Sequence, residues 1–262
     1  MNGRIALVTG AGSGLGAAIS RRLAADGTHV IVNDLNPESA AKVAADVGGE
    51  AAPFDVTDSA AFTAAVDGAV ARHGRIDVLV NNAGIVHDRP DVRERSMANM
   101  AARMEGRPAE PTGATSGLTD EQWDRMIKTH LYGTFYGTRA ALRHMEPARA
   151  GWIVNLASIY GIVGSPGTSD YSAAKGAIVL FTKSVGREVA ALGIHVNAVA
   201  PGFIDTPLLE PMADMRPMLE MQIPSGRLGE AQEVANLVRF LASDEASYCF
   251  GDVLTLTGGY SI

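Results

Sequence analysis

Tyr171 and Lys175 stand four residues apart in a segment that reads as a helix beginning near Ser169. That spacing puts a phenol and an ammonium on one helix face, where they can converge on one pocket. A phenol with a pKa near 10 is a poor base at neutral pH. A neighbouring positive charge favours the phenolate and lowers that value. Ser158 follows the apolar run Trp152 to Leu156, which places a hydroxyl at a strand end. In isolation a Tyr-x-x-x-Lys spacing occurs in many helices, and strand-end serines are common. The weight of the three residues comes from what lies upstream.

Near the start the chain reads Thr9-Gly-Ala-Gly-Ser-Gly-Leu-Gly16, with glycines at Gly10, Gly14 and Gly16 and with Ser13 and Leu15 between them. A turn without Cβ atoms, after an apolar run and before an amphipathic helix, lets a pyrophosphate approach backbone amides at a helix N-terminus. Asp34, followed by Leu35, sits 24 residues beyond Gly10 at the expected end of the second strand. A carboxylate there can accept from the adenosine ribose and would repel the 2′-phosphate of NADP. No basic residue occurs in Val32 to Pro37, so NAD is the expected cofactor; a solvent-facing helix cap is the plainer use of the same aspartate. In Phe54-Asp55-Val56, Asp55 could meet an adenine amino group or serve as a turn residue.

These residues need a scaffold, and the chain supplies one in regular alternation. Strand-like runs at Ile5 to Val8, His29 to Val32, Ala51 to Phe54 and Ile76 to Val80 are separated by helical patterns, including Pro37 to Val47 and Ser59 to His73. Trp152 to Leu156, Ile194 to Val199 and Val253 to Leu256 continue the series, with a last helix over Glu230 to Ala242. Such alternation predicts an α/β fold, a Rossmann-like doubly wound parallel sheet with helices on both faces, in one domain over 1–262. Thr119 and Gln122 form a capping-box pattern that opens a helix expected to run to about Met145, before Pro147.

Composition limits the functional classes. With 262 residues, 47% hydrophobic and 19% charged, the chain suits a folded protein with a sizeable core. A formal charge of −7 makes a poor match for phosphates, so no nucleic-acid partner is expected. Cys249 is the sole cysteine, which rules out an intrachain disulfide and a multi-cysteine metal site. No apolar run reaches membrane-spanning length, and a cytoplasmic location is the default expectation.

In this order and spacing the motifs resemble the short-chain dehydrogenase/reductase (SDR) family, over essentially the whole chain. The glycine loop matches its cofactor motif. Asn81-Asn82-Ala83-Gly84 matches the segment that supports the central sheet with its backbone close to the cofactor. Ser158, and Tyr171-Ser-Ala-Ala-Lys175, match the catalytic serine, tyrosine and lysine, the last two also touching the cofactor. Pro201-Gly202 matches the segment beside nicotinamide, from which Ile204 and Thr206 would address the carboxamide. The resemblance implies hydride transfer to or from NAD without a metal, and a homotetramer or homodimer built on the long helices. Thr129-His130-Leu131-Tyr132-Gly133 departs from it, with His130 where most members carry asparagine. That asparagine holds a helix kink and a water leading to the lysine; a histidine nitrogen could serve similarly, as in the subgroup containing the dehydrogenase domain of the peroxisomal multifunctional enzyme.

Two variable segments bear on the substrate. One is the polar insertion at 87–117, with five arginines at 89, 93, 95, 103 and 107 among Asp88, Asp91, Glu94 and Glu105, and a short helix expected from Val92 to Met104. The other is an irregular Met-rich segment resembling the family's substrate lid, at about 206–224. With Ile159, Tyr160, Val163 and Pro166, its apolar side chains suggest a hydrophobic secondary alcohol or ketone of terpenoid, steroid or aromatic type. The arginines could instead receive a carboxylate or CoA phosphate, which would suit a 3-hydroxyacyl-CoA dehydrogenase or 3-oxoacyl reductase. A non-catalytic NAD-binding regulatory or scaffold protein is the reading outside enzymology, and the intact Ser158, Tyr171 and Lys175 argue against it.

Overall fold

The structure, a computed structural model, describes residues 1–260; Ser261 and Ile262 lie outside the description, as do the side chains of Pro211, Met212 and Asp214 in the expected lid. The strands are β1 (Ile5–Val8), β2 (His29–Val32), β3 (Glu50–Ala51), β4 (Val78–Asn81), β5 (Gly151–Leu156), β6 (Ile194–Pro201) and, last in sequence, β7 (Val253–Leu256). They form a seven-stranded sheet in the order β3-β2-β1-β4-β5-β6-β7, parallel at every pairing. The expected Rossmann-like architecture is therefore present. Its strand order reverses between β1 and β4, so the crevice beyond their carboxyl ends is where this kind of sheet takes ligands.

Helices α1 (Gly14–Ala25), α2 (Pro37–Val47) and α10 (Ala231–Leu241) bury their apolar faces with β1 and β2 in one cluster that contains Ile19, Leu23, Val43 and Val238. A second cluster, with Phe62, Val66, Ala141 and Met145, joins α3 (Ser59–His73) and α6 (Gly133–Ala148) to the same sheet. Leu7 and Leu79 belong to the second cluster and Val8 and Val80 to the first, because successive strand residues point to opposite faces. A chain buried on both faces reads as a continuous apolar run, which is why the central strands are legible in sequence.

Several expectations are corrected. The third strand ends at Ala51 and not Phe54: Pro53 has no amide to donate, and Asn33 Nδ2 takes the carbonyls of Ala52 and Phe54, both at 3.0 Å. The helix after Thr119 is not continuous but divides into α5 (Asp120–Ile127), a π-helical turn at Lys128–Tyr132 and α6. Its end passes Pro147, which sits in the last turn before Arg149 adopts φ 53°, where only one intrahelical bond is lost. The insertion holds a fuller helix than expected, α4 (Pro90–Met104), and the lid is helical, with a 3₁₀ stretch at Pro207–Met215 followed by α9 (Arg216–Gln222).

Candidate active site

The glycine loop is shaped by what its missing side chains make room for. A Cβ on Gly16 would lie 2.3 Å from the Gly10 carbonyl oxygen, and one on Gly10, at φ +60°, would lie 2.7 Å from Ala83 Cα. Gly12, which lies outside the 10-14-16 spacing, proves as constrained: its Cβ would meet Asp34 Oδ2 at 2.8 Å and Ser39 Cβ at 2.6 Å. The signal for it was the second glycine of the run. Ser13 occupies the N-cap of α1 without a side-chain cap bond, so the first amides of that helix keep no intrahelical partner, as an anion site requires. Asp34 accepts from the Gly12 amide through Oδ2 (2.9 Å) and from the Asn36 amide through Oδ1 (3.0 Å), which fixes the carboxylate at the loop's edge.

Beneath the loop, Thr9 and Asn82 bind β1 to β4. The Thr9 hydroxyl accepts from the amides of Asn82 (3.0 Å) and Ala83 (3.1 Å), and Asn82 Nδ2 donates to the carbonyls of Thr9 (2.9 Å) and Gly10 (3.0 Å). Asn81 extends the support inward by donating to Asn155 Oδ1 at 2.8 Å, and Asn155 donates to Thr182 Oγ1 at 2.9 Å.

Ser158 follows β5, just before the short helix α7 (Tyr160–Val163), and α8 (Ser169–Val189) carries Tyr171 and Lys175 in its first turns. Helix α7 lies against α8 with no space to spare, because a Cβ on Gly161 would be 2.6 Å from the Lys175 carbonyl carbon. This contact brings Ser158 to the Tyr171 phenol. Ser158 Oγ accepts from the Tyr160 amide at 3.2 Å, which leaves the hydroxyl hydrogen to be donated elsewhere. Lys175 Nζ donates to the Leu156 carbonyl at 2.6 Å and lies 5.7 Å from the centre of the Tyr171 ring.

Burial governs the titration of this cluster. It pushes the Lys175 amine down to about 7 and raises the Tyr171 phenol above its ordinary value, against the smaller lowering effect of the hydrogen bond with Ser158. The expected lowering of Tyr171 by the neighbouring ammonium is thus overturned in the protein alone. Both groups leave water in the same cavity wall, where desolvation penalises phenolate and ammonium alike.

His130 sits in the π-helical turn, 2% exposed, its ring edge-on to Tyr171 with centroids 5.4 Å apart. Its Nε2 is 2.9 Å from the Ile85 carbonyl and 3.1 Å from the Ile85 amide, and the tautomer decides which one it engages. Burial, and then the Lys175 charge, hold its pKa well below the usual histidine value, so the ring is neutral. A Cβ on Gly84 would lie 2.4 Å from the imidazole Cε1. The helix distortion expected of asparagine is therefore present with histidine, whose ring fills the space over Gly84.

These groups meet in one cavity of about 750 Å³. It is lined by Gly10, Ser13, Gly14, Leu15, Asp34, Asn82 and Gly84 from the cofactor motifs, and by His130, Ser158, Tyr171 and Lys175. Pro201, Gly202, Ile204 and Thr206 border it too. Gly16, Ala83, Leu35, Asp55 and Val56 do not: the first two pack beneath the loop, Leu35 is 72% exposed, Val56 is buried, and Asp55 Oδ1 holds a turn by accepting from the Thr57 amide and hydroxyl, both at 2.8 Å. On the far side Phe203, Leu219, Ile223 and Leu228 form an apolar cluster with Tyr160, Leu209, Met215 and Tyr260, and burial there lifts the Tyr160 phenol to about 12. A shallower hollow of about 810 Å³ between Thr57 and Tyr136 shares no lining residue with this cavity.

The insertion arginines are largely committed. Arg93 pairs with Asp88 (2.8 Å), Arg95 with Asp91 (2.5 Å) and Arg107 with Glu105 (2.7 Å), while Arg89 donates to the carbonyls of Gly113 and Ala114. Among the described residues His29, Glu50 and His73 bring ligand atoms within 4.8 Å of one another at the β3 edge of the sheet, outside the cavity lining. No helix of the described residues is long and apolar enough to cross a membrane.

Known proteins resemble the chain over nearly its whole length. The family model described as enoyl-(acyl carrier protein) reductase matches residues 10–261. The chain is 40% identical over 260 residues to the 3-oxoacyl-[acyl-carrier-protein] reductase of Escherichia coli (strain K12), covering 98% of this chain and 97% of the relative. It is 41% identical over 263 residues to a cis-4-hydroxycyclohexanecarboxylate dehydrogenase of Sinomonas cyclohexanicum, covering 98% and 96%. A crystal structure described as ribose-5-phosphate isomerase from Brucella melitensis 16M superposes with a TM-score of 0.87 at 34% identity, over 99% of this chain and 93% of that one.

Proposed function

The chain belongs to the short-chain dehydrogenase/reductase family and is an oxidoreductase that works with a nicotinamide cofactor, and from that premise we propose that it oxidises a largely apolar secondary alcohol to the ketone with NAD, or runs the reverse reaction. The observation that carries this reading is the meeting, in a single cavity, of the Ser158, Tyr171 and Lys175 side chains with the glycine loop and Asp34. A loop in which Gly10, Gly12 and Gly16 leave no room for a Cβ, at a helix N-terminus whose first amides are uncapped, fits the pyrophosphate of a dinucleotide. Asp34, already fixed by two amides, keeps lone pairs for ribose hydroxyls and opposes a 2′-phosphate, which favours NAD over NADP.

A bound nicotinamide supplies the hydride acceptor or donor and, when oxidised, a positive charge that favours the Tyr171 phenolate. Tyr171 takes the hydroxyl proton in oxidation and returns it in reduction. Ser158 donates to the same substrate oxygen, since its own Oγ accepts from Tyr160. Lys175, at the cavity wall with a pKa near neutrality, is placed to bond the nicotinamide ribose and to exchange protons with the Tyr171 region. His130 is a positioning residue that supports the helix distortion and the Tyr171 ring. The cluster around Phe203 and Leu219 supports a substrate with a substantial hydrocarbon part. Tyr132, Phe135 and Leu180, exposed on or beside the long helices, support self-association as a homotetramer or homodimer.

The 40%-identical 3-oxoacyl reductase favours a second reading, reduction of a 3-oxoacyl thioester. Both are tested by following reduced nicotinamide with NAD and NADP against hydrophobic secondary alcohols and, in the other direction, against 3-oxoacyl thioesters. Faster turnover of alcohols with NAD sustains the first reading; faster turnover of thioesters replaces it with the second. Binding of NAD without turnover of any member of either set would point to the non-catalytic role.

A further inference from the structure

Away from the cavity, three side chains from three elements turn their ligating atoms toward one another. His29 begins β2, Glu50 begins β3 and His73 ends α3. The cluster therefore sits at the amino end of the β3 edge of the sheet, whereas Asp34, Ser158 and Pro201 border the cavity at the carboxyl ends of their strands. His29 Nε2 lies 3.0 Å from Glu50 Oε1, and His73 Nε2 lies 2.6 Å from the same oxygen. The first contact has the geometry of a hydrogen bond. The second does not, and His73 Nε2 is left buried with no hydrogen bond among the described residues. All three ligating atoms fall within 4.8 Å of one another, and the two rings are tilted at 45° with centroids 4.8 Å apart.

Hydrogen bonding accounts for only part of this convergence. A carboxylate oxygen that faces two imidazole nitrogens needs a proton on each, yet only one of the two is in line to donate. A cation among the three atoms removes the conflict, because each neutral imidazole can then present its Nε2 lone pair and keep its proton on Nδ1. The surroundings suit such an ion. Arg72 holds the other carboxylate oxygen, Oε2, through Nε and Nη2, both at 3.0 Å, which orients the carboxylate and leaves Oε1 turned toward the two rings. His73 closes the last turn of α3, where the helix dipole favours positive charge. Two imidazoles and a carboxylate are a donor set for zinc and a poor one for calcium or magnesium, which take oxygen ligands. Ligands about 2.0–2.2 Å from a zinc ion stand roughly 3–3.6 Å from one another, so side-chain shifts on the order of an ångström bring these three into place. The side chains of His29, Glu50 and His73 are 32%, 31% and 21% exposed, which leaves room for those shifts and for water as a further ligand.

We propose that His29, Glu50 and His73 form a site for one zinc ion that ties β2, β3 and the end of α3 together, with water as the fourth ligand. The ion takes no part in the chemistry of the cavity, and the site does not depend on the oxidoreductase reading. Its effect is on the edge of the sheet. β3 pairs with β2 through only two residues, Ile31 with Glu50 and Val32 with Ala51, so a link from Glu50 to both His29 and His73 holds a short edge strand to the helix beside it.

The test uses the full-length protein, freed of metal by dialysis against a chelator, with zinc as the probe. Competition with a chromophoric chelator is expected to give one zinc per chain with a Kd of about 1 μM or tighter. His73→Ala and Glu50→Gln should each weaken that binding at least about thirtyfold, with unchanged circular dichroism. His144→Ala, which removes another histidine paired with a carboxylate, should leave it unchanged. Zinc at about a hundred times its Kd should raise the melting temperature of the unaltered protein by several degrees and have little effect on the two site variants. Zinc binding weaker than about 100 μM in the unaltered protein, or full binding retained in both site variants, overturns the assignment. If a site variant fails to fold, the imidazole NMR signals of the unaltered protein decide. Zinc should shift those of His29 and His73, and shifts confined to other histidines overturn the site.

Discussion

The cofactor wall of the cavity is built from backbone and the substrate wall from side chains. On the first, Gly10, Gly12 and Gly16 hold the chain where no Cβ fits, and Thr9 and Asn82 lock neighbouring strand ends through main-chain groups. On the second, Phe203, Leu219 and Met215 line the cavity together with a polar group of His87, Asp88, Arg93 and Asp170. A backbone cradle admits almost no substitution, whereas a packed side-chain wall accepts many combinations of similar volume. Under the proposed function, one wall serves a constant ligand and the other can be altered for a new one. Tyr171 and Lys175 stand where the two walls meet.

The hardest blow to that junction is Tyr171→Phe, which removes the proton carrier and keeps the ring. Turnover should fall by roughly 10²–10⁴-fold while NAD affinity, read by fluorescence titration, changes little. Retained turnover would move the acid/base role to another group. On the cofactor wall, Gly16→Ala forces a Cβ to 2.3 Å from the Gly10 carbonyl. A strain of about 1–3 kcal/mol corresponds to NAD binding weakened by about ten- to a hundredfold, measured by calorimetry. Asp34→Ala should raise the Kd for NAD by about tenfold and narrow the gap to NADP, since it removes both a ribose acceptor and a repulsive charge. An unchanged NAD to NADP ratio would assign Asp34 to holding the loop through Gly12 alone.

At the junction itself, His130→Asn should keep turnover within about tenfold and leave NAD affinity unchanged, because neither ring nitrogen is needed as a charged group. A larger loss in kcat with a shifted pH profile would give the imidazole a direct share in proton movement. The last expectation concerns stability. The folded pKa of Lys175, about 7, lies below its ordinary value of 10.5, so between those values the unfolded chain binds more protons than the native one. Stability from this group therefore rises with pH across that window and is lowest below it. Melting temperatures of the free protein and of Lys175→Met, compared from neutral to alkaline pH, should show that slope in the first and lose it in the second.

How far the chain could be read follows the same division. Ile5 to Val8, His29 to Val32, Pro37 to Val47 and Ser59 to His73 are elements with the bounds that their apolar patterns predict. The glycine loop, Ser158, Tyr171 and Lys175 were legible because turn geometry and helical spacing are local properties. The expected strand through Phe54 was misread because the claim of Asn33 on two carbonyls is not local. The distortion at Lys128–Tyr132 is announced only by the family resemblance around His130, because no proline or glycine pair marks it. The His87 and Asp170 pair, 83 residues apart, left no local signal at all.

By itself, then, the sequence determined a doubly wound parallel sheet, a glycine loop at a helix N-terminus and the order of Ser158, Tyr171 and Lys175, since periodicity, missing Cβ atoms and fixed spacing act over a few residues. Only the tertiary structure decided how those groups titrate, which nitrogen is left unpaired and what the cavity wall presents to a substrate. Desolvation and pairing depend on everything that surrounds an atom, and for Tyr171, Lys175, His130 and His87 the surroundings come from distant parts of the chain.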